Sequence, residues 1–288
     1  MTDVAATSAS GRLRFSGLRV GVILSLLLLL VGFASLVWTP YPVNAVDVGA
    51  ALQDPGSLHW LGTDPLGRDV FSLLMKGILT SFIVAAIAVA IGAVIGIPLG
   101  LAAATWDGLA DRAVLRVSDF LLVFPALVSA ILIAAAAGPS EVVTMIAVGL
   151  FNVPVFARAA RGGWLELKSL DYAKAARLSG MSGWEVAIRH LLPGLGALLL
   201  ATATTQLAVS VLAEATISYI GLGAQTPTAS LGLMLRDAQS YAMMKPSLML
   251  LPGLAIVLIV ASISLAGDGF RALLDPKLKA AGAVDGAA

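Results

Sequence analysis

Few side chains in this sequence could do chemistry, and their spacing narrows what that chemistry is. Asp64 and Asp69 lie close together in Leu61-Gly62-Thr63-Asp64-Pro65-Leu66-Gly67-Arg68-Asp69-Val70. Two carboxylates could hold a cation, but they make a thin shell for calcium, which takes about six to eight oxygens. The alternative is a folded turn with an Arg68 ion pair, and the glycine, proline and aspartate positions favour it. His59 and His190 are the only histidines and there is no cysteine, which disfavours a histidine-rich metal site and excludes disulfides and thiol chemistry. No Gly-x-x-x-x-Gly-Lys-Ser/Thr, His-Glu-x-x-His or Gly-x-Ser-x-Gly pattern occurs, so ATP binding by the P-loop route, a zinc protease and an elbow serine hydrolase are not expected. Asn152 sits inside an apolar run and Glu214 at the edge of another. Polar groups at such depth face protein or a water-filled path. Glu214 is open to both readings, a structural pair or a path-lining carboxylate, with the structural one preferred.

A third group of polar residues is longer. Leu170 to Pro193 is the most highly charged segment of the central chain. Asp171 stands where a first short helix would start, favourable to the positive end of its dipole. Gly180 stands where such a helix would end, since glycine enters the left-handed region cheaply. Ser182 and Glu185 form a capping-box pattern for a second helix, and Pro193 suits the first turn of another. Ala173, Ala176 and Gly180 recur at helical spacing and line one face without bulk. Asp171, Lys174 and Arg177 place charge around it. The segment is either a solvated connector or a face that another surface approaches closely.

The elements that must position these residues are hydrophobic spans. Of 288 residues, 59% are hydrophobic and 12% charged, with mean hydropathy +0.95. A soluble domain carries about a quarter charged residues, so this is a polytopic membrane protein, with fold class all-α. The order is a polar tail (1–19), a first span (20–38), an external loop (39–76), a five-helix core (77–270) and a tail (271–288). Within the core the spans read 77–106, 120–140, 142–157, 194–213 and 246–267, with the polar loop 158–193 between spans four and five. Gly92, Gly96 and Gly100 give a small-xxx-small face in the second span, which permits close helix packing in lipid. With six spans both termini share a side. That side collects Arg12, Arg14, Arg19, Arg112, Arg116, Arg158, Arg161, Lys168, Lys174, Arg177, Arg189, Arg271, Lys277 and Lys279, and the other only Arg68, Lys76, Arg236 and Lys245. The positive-inside rule therefore places the termini and the loop 158–193 in the cytoplasm. The spans lack a lysine or paired carboxylates of the kind a proton-coupled carrier uses, which makes a secondary carrier the weaker alternative.

The central segment resembles the cytoplasmic Glu-Ala-Ala loop of ABC importer permeases. Ala175, Ala176, Gly180, Leu192 and Pro193 fall in register with that pattern, while Lys174 stands where the family has Glu and His190 where it has Ile. His59 through Asp69 is similar to the external loop His-x-Leu-Gly-Thr-Asp-x-x-Gly-Arg-Asp of dipeptide, oligopeptide and nickel permeases. Further resemblance lies in Leu212-Ala213-Glu214-Ala215, Gly221-Leu222-Gly223 and Gly267-Asp268-Gly269. The resemblance runs from about Leu58 to Leu278. It implies the type I importer permease fold, with cytoplasmic coupling helices between spans four and five. Asp171, Tyr172, Ala173, Lys174, Ala175, Ala176, Arg177, Gly180, Leu192 and Pro193 would couple to an ATPase. Gly62, Asp64, Gly67, Arg68 and Asp69 would build the external loop, and Asn152 and Glu214 are candidate path residues. The implied partners are a second permease subunit, two ATPase subunits or domains, and a substrate-binding protein. ATP and Mg would bind in the partners, with no cofactor on this chain. The implied setting is the bacterial inner membrane and the implied cargo is di- or oligopeptides, with nickel chelates or another small solute as the alternative.

Overall fold

The computed structural model describes residues 2–106, 108–123, 126–168, 170, 181, 185 and 192–274. In chain order the helices are α1 (Thr2–Ala34), α2 (Val70–Thr105), α3 (Leu109–Val123), α4 (Ala126–Ala137), α5 (Glu141–Lys168), α6 (Leu192–Ile220), α7 (Leu231–Ala238) and α8 (Ser247–Leu274). Single 3-10 turns lie at Val48–Ala50 and Gln239–Tyr241. Among the described residues five helices are long and apolar enough to cross a membrane, and α3 with α4, bent by 88°, supplies a sixth crossing if the pair is one span.

Several helices outrun the apolar stretches that announced them. At about 1.5 Å per residue the 36 residues of α2 reach about 54 Å, well beyond a hydrocarbon core about 30 Å thick. It starts at Val70 because Asp69 accepts the Ser72 N–H and caps it. The charge at Arg158 closes the apolar run, yet α5 continues to Lys168, so residues 158–168 are helix rather than loop. Likewise α6 passes Glu214 and ends only at Ile220; Glu214 is inside a helix, not at its end. The third span, read from sequence as one segment over 120–140, is instead the bent pair α3 and α4. Charge marks where lipid ends, whereas backbone hydrogen bonding continues a helix into water.

The central seam joins α2 to α5, and the spaced glycines make it. A Cβ on Gly92 would lie 2.4 Å from the Asn152 Cβ, one on Gly96 2.4 Å from the Val153 carbonyl, and one on Gly100 2.2 Å from the Ala157 carbonyl. Lipid gives little hydrophobic drive between helices, so close backbone approach supplies the packing. One core cluster, around Phe82, Val211, Leu231 and Ile259, ties α1, α2, α6, α7 and α8 together. A second, around Leu101, Ala160, Trp164 and Leu195, closes the far ends of α2 and α5 against the start of α6.

Candidate functional site

At one end of the bundle the loop from Thr39 to Asp69 folds onto itself through its carboxylates. Asp64 Oδ1 accepts the N–H groups of Leu66 at 2.8 Å and Arg68 at 2.9 Å, and its Oδ2 accepts Arg68 Nε–H at 2.5 Å. Asp69 Oδ2 accepts the Ser72 N–H and hydroxyl at 2.8 and 2.7 Å, while its Oδ1 lies 2.9 Å from His59 Nδ1. All four carboxylate oxygens are thus engaged by the loop and the first turn of α2, which is the Arg68 ion-pair arrangement and not a cation shell. The glycines are dictated by the same fold. Gly62 and Gly67 have φ of +77° and +74°, and a Cβ would meet the Gln53 carbonyl at 2.5 Å and the Asp47 carbonyl at 1.7 Å respectively. Gly62, Asp64, Gly67, Arg68 and Asp69 lie together in one buried knot.

That knot is bound to the second loop on the same end. Arg68 Nη2–H donates to Asp237 Oδ2 at 3.2 Å, and Lys245 pairs with Asp54. Gly221 (φ +89°) lies so close to Arg236 that a Cβ would meet its guanidinium. Asp237 and Asp54 were invisible as partners in the sequence, since 169 residues separate Arg68 from Asp237.

Glu214 and Asn152 occupy the interior. Glu214 is 1% exposed. Ser81 of α2 donates to its Oε2 at 2.8 Å and Ser218 to its Oε1 at 2.9 Å. Ser218 Oγ in turn accepts the Ala224 N–H at 3.2 Å, so the carboxylate joins α2 and α6 to the loop beyond α6. Asn152 is fully buried. It donates to Ser210 Oγ at 3.1 Å and accepts Gln206 Nε2–H at 2.7 Å, tying α5 to α6 opposite Gly92. Both side chains bridge helices in this conformation. The serines and Gln206 carry no motif of their own; helical offsets from Glu214 and Asn152 were the one available signal.

The opposite end carries the basic residues of α5. Arg161 holds Asp111 of α3 bidentately, Nε at 2.5 Å and Nη2 at 2.8 Å, and Arg158 pairs with Asp119. Trp164, fully buried, donates its Nε1–H to the Ala104 carbonyl at 2.9 Å, satisfying one of the orphan acceptors in the last turn of α2. Of the predicted coupling residues, Asp171 through Gly180 lie outside the described residues, as do Ser182 and His190. Leu192 and Pro193 form the first turn of α6. Met181 packs against the Trp164 cluster, so the chain just past Gly180 rests where α2, α5 and α6 meet.

Comparison with known proteins gives a consistent set. The family model described as "Binding-protein-dependent transport system inner membrane component" matches residues 96–280. The chain is 39% identical over 255 residues to the glutathione transport system permease protein GsiD of Pectobacterium atrosepticum, covering 88% of this chain and 85% of that one. It is 37% identical over 241 residues to the same-named protein of Shigella boydii, covering 83% and 80%. Over 256 residues it is 37% identical to the probable D,D-dipeptide transport system permease protein DdpC of Escherichia coli, covering 89% and 86%.

Proposed function

The chain belongs to the family of binding-protein-dependent transport system inner membrane components, and from that premise we propose that it is one permease subunit of an ATP-driven importer whose cargo is short peptides. The peptide assignment rests on relatives whose names specify glutathione and D,D-dipeptide transport. The chain forms half of a membrane path with a second permease subunit, receives its solute from an external binding protein, and does no chemistry of its own. ATP and Mg belong to two ATPase subunits or domains on the cytoplasmic side, where both termini also lie.

The observation that carries the energy-coupling part is the seat of Met181. It follows directly after the segment Asp171–Gly180 and touches the cluster built on Trp164. Trp164 in turn holds the end of α2 through Ala104. A push delivered through the Asp171–Gly180 segment would be received at Met181, beside the meeting point of α2, α5 and α6. Spans tied to that point would tilt together as the ATPases close. Asp64, Asp69 and their partners form the rigid outer cap against which such a tilt works.

The test uses the whole complex. Gly180→Val puts a β-branched side chain at the expected helix C′ position, where a positive φ would strain it by about 1–3 kcal/mol. Ala176→Glu places a charge in a close contact, where an unpaired desolvated charge costs about several kcal/mol. Each variant either loses its ATPase on purification or retains it with hydrolysis no longer stimulated by peptide-loaded binding protein. Lys174→Glu is tolerated better than Ala176→Glu. Wild-type coupling in both Gly180→Val and Ala176→Glu reduces the segment to a connector.

A further inference from the structure

We propose that the groove enclosed by α1, α2, α6 and α8 is a binding site for one lipid acyl chain. Two close contacts hold α1 against the rest of the bundle. At Gly21 a Cβ would lie 2.4 Å from the Ala266 amide of α8, and at Gly32 one would lie 3.2 Å from the Leu79 backbone of α2. Between these two points, about 16 Å apart along a helix, the four helices part and leave a cavity of about 330 Å³. Phe33, Leu79, Phe82 and Ile263 are among its walls, and its surface is almost wholly carbon.

Three occupants compete for such a space, and the dimensions decide between them. A helix with its side chains is about 10–12 Å across and rises about 5.4 Å per turn, so less than one turn of a partner's helix fits. A peptide or water needs polar partners. The two hydroxyls at the wall already donate, Ser25 to Ser262 Oγ at 2.9 Å and Thr204 to the Ala201 carbonyl at 3.0 Å. A hydrocarbon chain asks for none. The groove also lies at the level of the α1 and α2 spans, where the surrounding medium is itself acyl chain. The site is separate from the Asn152 and Glu214 networks and from the solute's identity.

The assigned site is tested on the assembled importer in nanodiscs of phosphatidylcholine carrying a photoreactive diazirine on one acyl chain. Unlabelled phosphatidylcholine is added in excess before irradiation, and labelled positions are read by mass spectrometry. Retained label is expected at Leu79 and Phe82, which line the groove and are 1% and 7% exposed, several-fold above Leu30 of α1, which is 66% exposed. Ala86 borders the groove, so Ala86→Phe fills it and brings Leu79 and Phe82 down to the Leu30 level. Ala86→Leu, a smaller fill, reduces them part of the way. Equal labelling of Phe82 and Leu30 in the wild type overturns the proposal, whether or not either variant assembles. So does labelling that Ala86→Phe leaves unchanged, or a Phe33 crosslink to another subunit in place of lipid.

Discussion

Arg68 shows how a single side chain can join regions that the sequence keeps far apart. Its guanidinium is buried between Asp64 and Asp237. Removing one member of a buried ion pair leaves the other charge uncompensated. Arg68→Ala is therefore expected to destabilise the outer cap by about 3 kcal/mol, measured as a lower melting temperature of the purified complex and faster proteolysis between residues 39 and 69. Double replacement Arg68→Met with Asp64→Asn recovers part of the loss. Glu214 poses a different balance. Glu214→Gln keeps an oxygen for one serine and an amide that the other serine can accept, so assembly and transport stay near wild type. Glu214→Leu strands the hydroxyls of Ser81 and Ser218, costing about 1–3 kcal/mol for each buried unsatisfied group. Transport lost in Glu214→Gln with normal assembly would instead place the carboxylate on the solute's path.

At the scale of the elements, the α2–α5 seam depends on what is missing from α2. The backbone of α5 lies where side chains on Gly92, Gly96 and Gly100 would have to be. Relief requires the helices to separate, which would also break the Asn152 contacts with Gln206 and Ser210. Gly96→Val is expected to abolish assembly, seen as loss of the complex on size-exclusion chromatography. At Gly162, where nothing lies within 4 Å of an added Cβ, Gly162→Ala is expected to leave assembly intact. The helix ends follow the same logic of local satisfaction. Asp69 caps α2 and Ser230 caps α7, while Trp164 takes up a carbonyl at the other end of α2.

At the scale of the whole molecule, the ion pairs among the described residues segregate to two ends. One end gathers Asp54, Asp64, Arg68, Asp237 and Lys245, and the other Asp111, Asp119, Arg158 and Arg161. The loops at 39–69 and 221–246 thus share a side, as the count of basic residues requires. Under the positive-inside rule we propose that the first end is external. Single cysteines at Ser57 and Ser169, introduced into a chain without native cysteine, test this with an impermeant thiol reagent on intact cells. Ser57→Cys is labelled and Ser169→Cys only after permeabilisation; the reverse pattern inverts the topology.

Composition was enough to determine the class of this protein and that it carries several apolar spans, because the bilayer imposes length and polarity on every crossing segment independently of its neighbours; it did not show that the third span is the bent pair α3 and α4. The turn chemistry of Leu61 to Val70 and the glycine spacing of α2 were legible for the same reason: each is a local demand on the backbone. Helix ends were not, since α5 and α6 continue past Arg158 and Glu214 wherever the i to i−4 hydrogen bonds remain available. Nor were the partners of the buried polar groups. Arg68 with Asp237, Ser81 with Glu214 and Asn152 with Gln206 are pairs that long chain segments separate, and periodicity has no memory over that distance. Only packing the helices decides which serine meets which carboxylate, and only that packing leaves the groove beside α1.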